Sequence, residues 1–442
     1  MTKENVKKAL DRMEQGTYRN TNEIVLGGVP FSARDVLVKA PIISRLNAYY
    51  VGGTGEGKTQ LANDLCGYFS DSSCYAMGRA DFEPSEIMKS MNWDLLRKLQ
   101  AGEKVPEGEL EKLSDNVNKC FFYVDELNRC PPIVQNYFFD FFDGKLVHQG
   151  KIRNLGKGGY SVGFASGNLG DGEYVGTSQS DRALKDRMHL ILGIDHPLFS
   201  TTSFDDLMIF SGSKKDPRAS LPQTQEGMTS EIIQANKEFQ ARPLNPILPF
   251  LGVYLTKGLD YLEGPKAHSK KAIKDSWYHS NIEGVREDSD EGIIFPMSKR
   301  AVLSAQALAS AFQFIAEAKG QKVANPAELF LDGLKLIVPY SGILHPTYVE
   351  QKHSGDVYSA FDEAMAFSRE EILKKQGKLE EAVLLAETGD KNPKLLKSIS
   401  GSEGRWACVK DAISQYADYR KANPSEEGKA LKEIIKEAHD MD

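Results

Sequence analysis

Gly52, Gly57, Lys58 and Thr59 hold the fixed places of a G-x-x-x-x-G-K-[ST] pattern, with Gly53, Thr54, Gly55 and Glu56 between them. Such a loop suits a polyphosphate. Small residues let backbone N–H groups close on phosphate oxygens at a helix N-terminus. Lys58 then reaches the β- and γ-phosphates, and the Thr59 hydroxyl becomes a ligand for Mg2+. The flanks agree: Ala48 to Val51 is an apolar run fit for a strand, and Gln60-Leu-Ala-Asn-Asp-Leu leads out as a helix. A glycine-rich turn with a chance Lys-Thr is the bland alternative, and it explains neither flank.

The run Cys120-Phe-Phe-Tyr-Val-Asp-Glu126 is apolar until it ends in two carboxylates. A buried parallel strand delivers acids to its C-terminal edge in this way. Asp125 is expected to position Mg2+, directly or through its waters, and Glu126 to orient and deprotonate the attacking water. Alone, such a pair reads equally well as an acidic strand end; beside a phosphate loop that reading loses weight. ATP and Mg2+ are the expected ligands.

Elements must bring these residues together. Residues 1–20 read as an amphipathic helix and a polar turn, Asn22 to Ala40 as a strand and turn, and Cys74-Tyr-Ala-Met as a second core strand. Pro84 to Gln100 reads as a helix, followed by a charged linker. Pro131 and Pro132 start another helix, with Val134, Phe138, Phe141 and Phe142 as its apolar face. Lys145 to Tyr160 alternates as a hairpin. From about Phe204 the composition turns loop-rich, and helices resume near Thr229 to Ala241, Ser298 to Ala318 and Pro326 to Val338. Further helices are expected at Ala360 to Gln376, Leu379 to Thr388, Gly404 to Ala422 and Glu426 to His439.

Asp125-Glu-Leu-Asn-Arg-Cys-Pro-Pro-x-x-Gln-Asn136 resembles the D-E-[IL]-N-R-x-P-P-x-x-Q signature of the MoxR family of AAA+ ATPases, and the hairpin takes the place of that family's insert in helix 2. Ser161-Val-Gly-Phe-Ala-Ser-Gly-Asn168 resembles the strand ending in the sensor-1 asparagine. Ala183-Leu-Lys-Asp-Arg-Met188 is similar to A-L-x-D-R-[FM], whose arginine is a finger reaching a neighbouring subunit's nucleotide. That implies Arg187, with Arg182 a rival. Pro296-Met-Ser-Lys-Arg-Ala301 looks like the S-P-R-A sensor-2 segment, implying Arg300, although Lys299 stands where that segment has Pro. Arg129 reads either as a bridge between subunits or as a structural salt bridge.

The resemblance implies an α/β P-loop AAA+ core with a parallel sheet, then an α-helical lid and a helical C-terminal extension. The expected boundaries are 1–20 for the N-terminal helix, 21–200 for the core with its hairpin near 145–160, and 201–350 for the lid with a polar insertion near 263–291. The extension covers 351–442. The implied function is a Mg-dependent ATPase forming a homo-oligomeric ring, a hexamer by likeness, that remodels or activates a protein client or adaptor. A nucleic-acid motor using the basic hairpin (Lys145, Lys151, Arg153, Lys157) is the alternative. A scaffold that binds ATP with little turnover is a third reading, and the intact Lys58, Asp125 and Glu126 speak against it.

Composition sets the bounds. The 442 residues carry a net charge of −7, so the whole molecule offers no broad attraction for nucleic acid or anionic membrane. Five cysteines without C-x-x-C spacing read as reduced thiols in a cytoplasmic setting. No apolar run nears the roughly 20 residues that span a bilayer. The histidine spacing suggests no transition-metal site.

Overall fold

The computed structural model describes residues 3–81, 87, 89–91, 93–101, 111–148, 151–168, 187–212, 227–262, 269–273, 290–400 and 404–431. Five parallel strands form the central sheet: β1 (Ala48–Val51), β2 (Ser73–Met77), β3 (Phe121–Asp125), β4 (Val162–Gly167) and β5 (Leu190–Gly193). Their spatial order is β5-β1-β4-β3-β2. Every residue of β1, β3, β4 and β5 is buried, as near-continuous apolar runs require when helices cover both faces; only the edge strand β2 is partly open. Aromatic rings fill one layer, with Phe121 stacked on Phe69 at 4.8 Å and edge-on to Phe164 at 5.3 Å. Because β4 lies between β1 and β3, the phosphate loop, the acid pair and Asn168 leave the sheet at one edge. Ligands of open parallel sheets bind at such an edge.

Helix α1 (Lys3–Glu14) and a hairpin of Glu23–Leu26 with Val29–Ser32 precede the sheet. Helix α2 (Lys58–Phe69) follows the phosphate loop, and α3 (Pro132–Phe142) follows the acid pair. Lys145–His148 and Lys151–Asn154 pair antiparallel, as the alternation predicts. The expected helix over Pro84 to Gln100 is corrected. Among the described residues of that stretch Ile87 and Trp93–Gln100 are helical, while Lys89–Met91 between them pairs antiparallel with Glu111–Leu113. The apolar spacing of Ile87, Met91 and Leu95 fits a helix, but a strand partner within the supposed linker claims part of it. Ser203–Phe210 is a helix where a loop is expected, started by a Thr202/Asp205 capping box.

The chain forms two compact units, residues 1–242 with 310–323, and residues 243–309 with 324–442. In the first, α4 (Thr229–Gln240) is tied to the core by Asn236 Nδ2 donating to the Ile43 carbonyl at 2.7 Å, beyond the residue-200 boundary read from sequence. Helix α5 (Lys299–Ala318) runs through both units. It is long and apolar enough to cross a membrane by composition, yet 61% of that window is buried inside the protein, as in a core helix.

The second unit is helical. Its α6 (Val357–Glu387) is one helix of 31 residues, not the two expected on either side of Gly377. A helical glycine costs about 1 kcal/mol. Leu379, Ala382, Val383 and Ala386 beyond it are buried, and α6 packs along α7 (Ala407–Ala422), which outweighs that cost. Most of the 263–291 insertion, Arg182 with Ala183 to Asp186, and residues 432–442 lie outside the described residues.

Candidate active site

The phosphate loop turns into α2 at Gly57, whose φ of 81° is left-handed and favours glycine. A side chain there would also meet the Tyr18 ring at 3.0 Å. Tyr18 is held in place by α2 itself. Asp64 accepts from the backbone N–H of Thr17 and of Tyr18, each at 2.9 Å, and pairs with the buried Arg34 guanidinium at 2.8 Å. The segment before the hairpin is thereby fixed against the phosphate helix.

Lys58 Nζ donates to the carbonyls of Gly52 at 2.7 Å and Gly53 at 2.5 Å. Burial pulls the Lys58 pKa below the ordinary lysine value, against the raising pull of Asp195, Asp125, Glu56 and Glu126. The loop lysine therefore sits in the field of both acids that the sequence assigns to the site.

Asp125 is the hub. Its Oδ1 accepts from the Ser166 hydroxyl and from the Glu126 N–H at 3.1 Å; its Oδ2 accepts from the Tyr75 hydroxyl at 2.7 Å and the Thr59 hydroxyl at 3.4 Å. Sheet register explains this convergence: Met77 lies opposite Asp125, so Tyr75 reaches forward from the edge strand. Burial, then the bond to Asp125, raise the Tyr75 pKa, so its hydroxyl remains a donor.

Glu126 leaves the strand with φ 52° and ψ 41°, a left-handed conformation unusual for a non-glycine residue and concentrated at functional sites. Its carboxylate is taken by Arg129 Nε at 2.9 Å within the same chain. Asn168 directly follows β4, its carbonyl accepting from Asn128 Nδ2 at 2.9 Å. Its side-chain oxygen is buried without a partner among the described residues, an acceptor position that a bound water or ligand hydrogen would complete.

Lys58, Thr59, Asp125 and Glu126 are thus gathered at one strand edge, with Asn168 just past the end of the neighbouring strand. Arg187 is held by Asp143 beyond α3, Nε to Oδ2 at 3.0 Å, and Arg300 lies in the first turn of α5. Sequence reading missed Tyr75, Ser166, Asp64 and Asp195. For Asp195 the signal was present, since Leu190-Ile-Leu-Gly-Ile-Asp is another apolar run ending in an acid. For Tyr75 and Ser166 it was not, because single hydroxyls in apolar strands carry no spacing rule.

Residues 50–188 match the family model for the AAA domain of the dynein-related subfamily. A crystal structure of a protein from Cytophaga hutchinsonii, provisionally assigned as an ATPase, shares the fold at a TM-score of 0.52 and 13% identity. That likeness covers 81% of this chain and 93% of that one. A full-length MCM homolog from Methanopyrus kandleri is more distant, with TM-score 0.40, 12% identity, and coverage of 69% of this chain and 54% of that one. No curated protein matches the chain in sequence. The fold is an α/β P-loop AAA+ core with a helical C-terminal region, and the enzyme class it carries is ATP hydrolysis.

Proposed function

We propose that this chain is a Mg-dependent, ring-forming ATPase of the MoxR-like type that remodels or activates partner proteins. The observation that carries the reading is the convergence of Lys58, Thr59, Asp125 and Glu126 at one sheet edge, beside an asparagine whose side-chain oxygen has no partner among the described residues. The donor set suits Mg2+, a hard cation: only oxygens are offered, with Thr59 Oγ1 and Asp125 Oδ2 3.4 Å apart. Bound there, Mg2+ supplies charge neutralisation for the phosphate oxygens.

The chain's own residues take the remaining roles. The loop amides and Lys58 grip the triphosphate. Glu126, released from Arg129, accepts a proton from the attacking water, and Asn168 polarises that water. Ser166 and Tyr75 fix the Asp125 carboxylate. Arg187, or Arg182 in its place, acts on an adjoining subunit's nucleotide, and Arg300 senses the nucleotide from the lid. A planar, always-charged guanidinium suits the charge that builds on the transferred phosphoryl group. Five cysteines outside any disulfide accord with a cytoplasmic setting.

A site completed in trans works only in an assembly, which gives the test. Turnover per subunit should fall on dilution, and Arg187→Ala should lower it while nucleotide binding persists. A rate per subunit that stays flat into the monomer range and is untouched by the substitution would sink the proposal.

A second reading, a nucleic-acid motor, has one observation of its own. All four residues of Lys151–Asn154 are exposed, and Lys145 and Lys157 are exposed beside them. Steeply salt-dependent DNA affinity with stimulation of turnover would favour it.

A further inference from the structure

We infer that Asp195 is a positioning residue of the phosphate loop and that its charge sets how tightly nucleotide is held. The inference rests on the loop being the nucleotide site and goes beyond it, because no motif covers Asp195. Sheet register fixes the residue: Gly193 of β5 lies opposite Val51, and the Ile194 N–H continues the ladder to the Val51 carbonyl at 2.8 Å. From there the Asp195 carboxylate reaches the first two residues of the loop. Gly53 N–H donates to Oδ2 at 2.7 Å. A Cβ at Gly52 would stand 3.0 Å from the carboxyl carbon and 3.2 Å from each oxygen, so a side chain at 52 would press on the carboxylate and push it back from the loop.

The start of the loop is thus held from two sides, by a carboxylate on its N–H and by the Lys58 ammonium on its carbonyls. Among the acids acting on Lys58, Asp195 is the strongest, ahead of Asp125. Binding a triphosphate turns Lys58 outward and brings several negative oxygens toward the same carboxylate. Two effects of Asp195 then oppose one another. Its hydrogen bond orders Gly53, which favours binding, and its charge repels phosphate and neutralises Lys58, which weakens it.

Two variants separate them. Asp195→Asn keeps an acceptor for the Gly53 N–H and removes the charge, whereas Asp195→Ala removes both. Titration of the full chain with a fluorescent ADP analogue should show Asn binding tighter than the parent by about two- to fivefold, the range for an exposed charge near the site. That gain should shrink between about 0.05 and 0.5 M NaCl, since screening acts on a charge and not on a hydrogen bond. Ala should bind more weakly than Asn. Asn binding no tighter than the parent, or a gain indifferent to salt, overturns the charge role. Ala equal to Asn overturns the anchoring role. Failure of the parent to bind the analogue would instead strike the assignment of the nucleotide site.

Discussion

Arg129→Ala isolates a single contact at the centre of the site. In the folded chain the Glu126 carboxylate is engaged by Arg129 Nε at 2.9 Å, through one contact three residues along. The pair is partly open to solvent, with Glu126 33% and Arg129 56% exposed in their side chains. Pairs of that kind contribute about 0.2–1 kcal/mol. If the carboxylate must leave Arg129 to face the attacking water, deleting the guanidinium removes that cost from the barrier. Turnover should then rise between about 1.4- and 5-fold. Nucleotide affinity should hold, since the ion pair that Arg129 makes among the described residues is with Glu126 and not with the phosphate loop. The assay is steady-state phosphate release at saturating Mg-ATP and high protein concentration, so that assembly is constant. A fall of tenfold or more would refute the reasoning. It would mean that Arg129 works in the reaction, by orienting Glu126 or by reaching an adjoining subunit.

Three further outcomes follow from the geometry. Asp64→Ala leaves the buried Arg34 guanidinium without its carboxylate and should cost about 3–5 kcal/mol in chemical unfolding followed through the first unit. A loss below about 1 kcal/mol would contradict the description of that pair as buried. Asp205 is fully buried. Burial alone would raise its pKa, but donors from Thr21 and Thr202 outweigh it and hold the pKa at about 2. A depressed carboxylate stabilises above its unfolded pKa and loses that contribution as pH falls through the folded one. Asp205→Asn should therefore cost about 2 kcal/mol at neutral pH, with the gap to the parent closing between about pH 4 and pH 2; a gap constant with pH would exclude the linkage. Tyr75→Phe frees Asp125 Oδ2 from one donor, and should shift the Mg2+ concentration that half-stabilises the ADP complex in thermal melts. Metal-free ADP binding should not change, and an unshifted Mg2+ midpoint would remove Tyr75 from the metal side of the site.

The core and its acids were legible because their physics is local. A strand buried on both faces must be apolar along its length, so Phe121-Phe-Tyr-Val could be read directly, and the carboxylates at its end had to emerge at the edge. Phosphate loops are spelled by small residues at fixed spacing for the same local reason. What the sequence hid depends on pairing at a distance. Tyr75 reaches Asp125 only because β2 lies beside β3, and Asp195 reaches Gly53 only because β5 lies beside β1. Lys89–Met91 belongs to a strand because Glu111–Leu113 meets it, and no periodicity within either segment announces the other. At Gly377 a local rule pointed the wrong way, since packing along α7 carries α6 through a residue that disfavours helix.

In the proposed function the loop grips ATP while the acid at the strand tip drives its cleavage. The direct measurement is a single-turnover experiment with labelled Mg-ATP on the parent, Lys58→Ala and Glu126→Gln. Glu126→Gln should retain uncleaved ATP and lose about 10²–10⁴-fold in cleavage rate, and Lys58→Ala should retain none. Cleavage by Glu126→Gln at the parent's rate would contradict the account.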